Sequence, residues 1–142
     1  MSNLYLEDLS GMTEQEVKQH IADNYAGKNS GFDYGEPTDQ EKSDLLKELK
    51  SYSILIAYEH VGSWGCDSSS YFLMKKDDKY LEFSGGHCSC YGFEGQYDPE
   101  EATIEYLNSD RFSFCCGGYD DNSDKNEKLV REFVKSLPNC AQ

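Results

Sequence analysis

The sequence predicts an α+β domain: a small, mostly antiparallel sheet packed with helices, in the order α-α-β-β-β-α-β-α. Three observations carry this expectation. Two segments in the first fifty residues open with the same capping pattern and continue with apolar residues at helical spacing. The middle of the chain is β-branched and aromatic and holds a hairpin signal. The C-terminal stretch returns to helical spacing.

Thr13-Glu14-Gln15-Glu16 has capping-box form, and Val17, Ile21 and Tyr25 follow on one helical face, with Gly27 available to end the helix. Lys28 to Pro37 is turn-rich and reads as a loop. Thr38-Asp39-Gln40-Glu41 repeats the box and opens a helix carrying Leu45, Leu46 and Leu49. Tyr52 to Val61 reads as a strand. Tyr71–Met74 and Tyr80–Phe83 flank Lys75 to Lys79, and Asp77-Asp78 supplies the tight turn of a hairpin. Asp98-Pro99-Glu100-Glu101 predicts a helix running to about Asn108, with Asp98 as cap and Pro99 at its first position. Phe112 to Cys116 reads as a further strand. A last helix starts near Ser123 or Asp124, buries Leu129, Val130, Phe133, Val134 and Leu137, and stops at Pro138.

The chain has 142 residues, the size of one domain. Charge is spread along it, −6 over residues 1–50 and −4 over each of 51–98 and 99–142. Residues 1–142 therefore read as a single domain: an N-terminal helical part over 1–50, the sheet over 51–118 and the C-terminal helix over 123–138. The formal charge of −14 excludes a phosphate-binding surface over most of the chain and disfavours an anionic membrane. Direct nucleic-acid binding and membrane binding are not expected. Eighteen Tyr and Phe residues are too many for a disordered acidic tail. No basic and apolar leader precedes Ser10, so a cytoplasmic protein with reduced thiols is expected.

Six Cys in a reducing compartment point to metal ligands, reactive thiols or buried apolar side chains. Gly85-Gly86-His87-Cys88-Ser89-Cys90-Tyr91-Gly92 puts a His and two Cys within four residues, between glycines that let the backbone turn round a small centre. Zn²⁺ takes four N or S ligands in a tetrahedron. Cys88 and Cys90 are the leading ligands for a structural zinc, Cys66 and His87 come next, and Cys115 or Cys116 stands in reserve. A hairpin turning at Asp77-Asp78 sets Cys66 roughly opposite Cys88. A closed four-ligand site leaves no place for water, so no enzymatic turnover is expected. The rival reading makes Cys88 or Cys90 a hydrolase or redox thiol with His87 or His60 as base and Asp67, Glu94 or Gln96 as orienting group. His20 reads as a surface or core residue without a partner.

The stretch Ser84 to Glu101 resembles a group of small phage and prophage proteins sharing a His-Cys-Ser-Cys-Tyr-Gly-(Leu/Phe)-Glu-x-Gln core. His87, Cys88, Cys90, Tyr91, Gly92, Glu94 and Gln96 match that core, and the similarity extends back through the hairpin to about Tyr58. The resemblance implies a mobile-element origin and a protein acting in the bacterial host cytoplasm. In size and charge the chain is also similar to some type II anti-CRISPR proteins, at least one of which is a zinc metalloprotein. That implies an acidic inhibitor of a host CRISPR effector nuclease, an RNA-guided enzyme with a positively charged channel. Glu100, Glu101 and Glu105 on the helix expected from Asp98, with Asp120, Asp121 and Asp124 in the next loop, are the expected partner-binding carboxylates. Tyr97, Tyr106 and Tyr119 are the expected aromatic anchors. A virion or replication-accessory protein, acidic only for solubility, is the competing binding class.

Overall fold

The computed structural model describes residues 3–26, 38–60, 68–77, 79–87, 97, 99–109, 112 and 123–137. The elements are β1 (Leu4–Glu7), α1 (Glu14–Tyr25), α2 (Asp39–Leu49), β2 (Ser53–His60), β3 (Ser68–Lys76), β4 (Lys79–His87), β5 (Glu100–Ala102), α3 (Ile104–Leu107) and α4 (Ser123–Lys135). The five strands form one sheet in sequence order. β1 runs parallel to β2, and the other three pairings are antiparallel. The architecture is α+β, as the sequence predicts. No helix among the described residues is long and apolar enough to cross a membrane.

Both predicted capping boxes form. The Thr13 and Thr38 hydroxyls accept from the Glu16 and Glu41 amides at 3.1 Å, and each glutamate accepts from its cap's own amide. The helices then bury Val17, Ile21, Tyr25, Leu45 and Leu49 against one face of the sheet, with Ile54, Ala57, Phe72, Met74 and Phe83. The opposite face carries Leu55, Ile56, Tyr58, Tyr71, Leu73 and Tyr80. It is covered by Leu107, Phe112 and the α4 stripe of Val130, Val134 and Leu137. Two helical layers thus share one sheet.

The shared strand is β2, whose Ile54 to Glu59 are all buried. A strand covered on both faces needs a continuous apolar run rather than alternation. The register slips between Ile54 and Ile56. This β-bulge lets Leu55 and Ile56 join the same core while Ile54 serves the other.

The hairpin turns where the sequence places it. Lys76 pairs with Lys79, and Asp77 takes φ +54°, the left-handed conformation that tight hairpin turns require and that Asp tolerates. Both strands run further than expected, back to Ser68 and on to His87.

Two elements differ from expectation. β1 is an additional strand, short and near the N-terminus. The helix expected from Asp98 is instead strand β5 followed by the four-residue α3, which Thr103 caps by accepting from the Tyr106 amide. Asp-Pro-Glu-Glu satisfies helix-start preferences, but the edge of β4 offers ladder hydrogen bonds, and Ala102 is small enough to bury opposite Tyr80. Phe112 is a buried core residue outside any strand, and residues 113–116 of the expected strand lie outside the described residues.

β5 places Glu100 directly opposite Glu82, a like-charge pair. Burial raises the Glu82 pKa, and the Glu100 charge adds to it, against a 2.7 Å hydrogen bond from Tyr71 Oη. Replacing Glu100 by Lys should therefore stabilise the fold by about 0.5–1 kcal/mol at neutral pH in urea unfolding. The gain should fade as pH falls and Glu82 protonates. A neutral or destabilising result at pH 7 would contradict the pairing.

Candidate functional site

The described ladder of β3 and β4 ends at Ser68 opposite His87. Cys66 lies two residues before one of these positions, and Cys88 and Cys90 lie one and three residues after the other. Cys66, Cys88, Cys90, Cys115, Cys116 and Cys140 are all outside the described residues. Among the described residues no group of three or more His, Cys, Asp or Glu side chains is arranged to hold a metal ion.

The expected carboxylate patch is partly redistributed. Glu100, Glu101 and Glu105 are exposed, but Glu100 and Glu101 sit on a strand, not a helix. Neighbouring strand residues point to opposite faces, so Glu100 shares a face with Glu82 and Glu101 shares one with Leu81. Glu105 lies in α3. Asp124 is the second residue of α4, while Asp120 and Asp121 lie outside the described residues. Tyr97 and Tyr106 are half-buried rather than free anchors. Tyr97 packs edge-on against Phe83 at 5.0 Å and donates to Glu48; Tyr106 packs against Phe112 at 5.8 Å. Tyr119 is outside the described residues.

Sequence reasoning missed a polar cluster at the same end of the sheet. Glu59, 4% exposed, is a carboxylate in the doubly covered strand β2. Its two oxygens lie 3.0 and 2.9 Å from His20 Nε2, and the fully buried Tyr25 hydroxyl donates to it at 2.6 Å. His20 and Tyr25 come from α1, so the carboxylate ties that helix to the centre of the sheet. Ser70, opposite Glu59 in the ladder, is fully buried beside the cluster. The available signal was a lone glutamate inside an apolar strand, together with a His five residues before a buried Tyr.

A buried charge needs a partner and hydrogen bonds to persist. His20 supplies both. Its hydrogen bond to Glu59 raises its pKa, burial opposes this, and the charges of Glu59, Asp23 and Asp8 reinforce it. The Tyr25 hydroxyl is pushed well up, chiefly by burial and then by the Glu59 charge. It therefore serves as a proton donor in the cluster. The cluster fastens α1 to β2 while leaving the His20 ring partly exposed.

The chain matches no family model, no curated protein and no solved structure.

Two outcomes follow for the cluster. Glu59→Ala strands a buried hydroxyl and an imidazole and should cost about 3 kcal/mol in denaturant unfolding. A loss below ~1 kcal/mol would contradict the anchoring role. The stability contributed by charge on His20 should be complete below about pH 6.5, the unfolded value, and lost as pH rises through the higher folded value. Titration of His20 by NMR should give a midpoint above 6.5, and the stability difference between wild type and His20→Gln should shrink across that window. A midpoint at or below 6.5 would remove the ion pair from the account.

Proposed function

We propose that the chain is an acidic binding protein that inhibits a host defence complex, and that its target is a type II CRISPR RNA-guided DNA nuclease. The carrying observation is a formal charge of −14 on a folded domain whose described apolar residues build two internal cores. Carboxylates on a rigid body compete with nucleic-acid phosphates for a basic channel, and the field of such a body steers it there. The resemblance of the Ser84–Glu101 stretch to phage proteins supports a mobile-element origin and hence a host target. Exposed Glu100, Glu101 and Glu105 are the proposed contact carboxylates among the described residues, with Asp120, Asp121 and Asp124 completing the set. Action is by occupancy, without turnover.

A structural zinc belongs to the same proposal. The donor chemistry fits: thiolates of Cys66, Cys88, Cys90 and Cys115 and the imidazole of His87 are the ligand types zinc prefers. The Ser68–His87 pairing supports it, because the stretches bearing Cys66 and Cys88 leave neighbouring strand ends. Bound there, the ion would cross-link the open end of the hairpin and add its binding energy to folding.

The purified protein should carry one zinc per chain and melt at a lower temperature in chelator. Substoichiometric zinc with an unchanged melting temperature would overturn the metal site. In a cleavage assay with the host nuclease, the protein should protect target DNA at low salt and less as salt rises. Reversing Glu100, Glu101 and Glu105 together to Lys should weaken protection roughly tenfold or more, the scale of steering effects. Absence of both co-purification and protection would overturn the inhibitor reading. Protection unaffected by charge reversal and by salt would overturn its electrostatic basis.

A further inference from the structure

The topology gathers cations at the end of the sheet opposite the Glu59 cluster. Ser53, at the start of β2, pairs with Lys75, so the C-terminal end of α2 and the β3–β4 turn lie side by side. Lys47, Lys50, Lys75, Lys76 and Lys79 meet there: five of the thirteen Lys and Arg residues of an acidic chain. Lys47, Lys50, Lys76 and Lys79 are exposed. The ion pairs among the described residues involve Lys18, His20 and Arg131, and none of these five lysines. Asp77 occupies the turn, and Glu48 accepts from Tyr97.

Lys76 and Lys79 are direct cross-strand partners. Their Cβ atoms are therefore roughly 4.5–5.5 Å apart, and like charges so placed repel. An anion between them would relieve that repulsion. Lys76 and Lys79 lie on the sheet face covered by α1 and α2, and Lys76 sits over Tyr52, two residues after Lys50, the C-cap of α2. The Lys76 ammonium sits 5.4 Å over the Tyr52 ring and the Lys75 ammonium 5.7 Å over Tyr80, contacts that restrict these long side chains. Lysines act as point charges suited to phosphates. A single phosphate would use two of them, whereas a line of lysines suits successive phosphates of one strand. The negative remainder of the body repels a long duplex laid along it, so only a flexible segment approaching end-on fits.

We infer that Lys50, Lys76 and Lys79 form a contact surface for the phosphate backbone of a short single-stranded nucleic-acid segment. The surface is independent of the inhibitor reading, because it requires no host protein. With about three phosphates neutralised, log affinity should fall with log salt at a slope of about −2.

The test is fluorescence anisotropy with a labelled ten-nucleotide single strand of mixed sequence, starting at low salt. Wild type should bind with that slope. Lys76→Glu combined with Lys79→Glu should bind at least tenfold more weakly while keeping the wild-type circular dichroism and melting temperature. Lys128→Glu with Lys135→Glu, the same charge change on α4, should retain binding within about twofold if the effect is local rather than one of net charge. No wild-type binding at low salt, or equal losses in the two double variants, would overturn the inference. So would low-salt self-association in sedimentation that the Lys76/Lys79 variant abolishes, which would make the occupant a second copy of the chain. Should the hairpin variant lose its fold, Lys50→Gln, away from the turn, gives the same reading: weaker binding and a shallower salt slope are expected, and unchanged binding would overturn the inference.

Discussion

Both helical layers rest on one sheet, and β2 is shared between them. Residues Ile54 to Glu59 of β2 are buried, and the bulge at Leu55 divides them between two cores, one on each face of the sheet. Each fully buried aliphatic side chain contributes about 1.5–3 kcal/mol, so the strand is a large share of the stability of both layers. α1 and α2 depend on Ile54 and Ala57; α4 depends on Leu55, Ile56 and Tyr58. β3 joins the same two cores, through Phe72 and Met74 on one face and Tyr71 and Leu73 on the other, so the domain should behave as one cooperative unit.

The carboxylate at the end of that run imposes a second constraint. An apolar residue at position 59 would serve burial, but it would not select an orientation for α1. Glu59 accepts only where His20 and Tyr25 both reach it, and those residues are five apart on a helix. A satisfied buried polar network of this kind fixes register at some cost in desolvation. Edge-on packing of Tyr25 against Phe72 and Phe83, at 5.4 and 5.8 Å, surrounds the same hydroxyl with apolar rings. That exclusion of water makes the hydrogen bond to Glu59 matter.

Local signals made much of this legible in the sequence. The capping boxes at Thr13 and Thr38, the apolar spacing in α1 and α4, and the Asp77 turn each depend on a few neighbouring residues, and each formed as read. Nonlocal competition was not legible. Glu100 and Glu101 have helix-start chemistry, yet the free edge of β4 drew them into a strand. β1 is four residues long and is recognisable as a strand only beside β2. His20 carried no local sign of its role, because its partner lies thirty-nine residues away on another element. The same holds for the lysine end. Composition reports an acidic chain, while only the pairing of Ser53 with Lys75 brings α2 and the hairpin turn together. The cysteine and histidine pattern was read from spacing, and what the described fold adds is the adjacency of Ser68 and His87.

Among the described residues, lysines gather at one end of the sheet and the Glu59 cluster lies near the other. This arrangement depends on a rigid frame, and the frame depends on β2. Native-state hydrogen exchange tests that dependence most directly. The amides of Leu55 to Tyr58 should be among the slowest in the protein, exchanging only through global unfolding and with the same free energy as the slowest amides of α1 and α4. If α1 or α4 retained protection after the β2 amides had exchanged, the two layers would not rest on a shared strand, and the account would be contradicted.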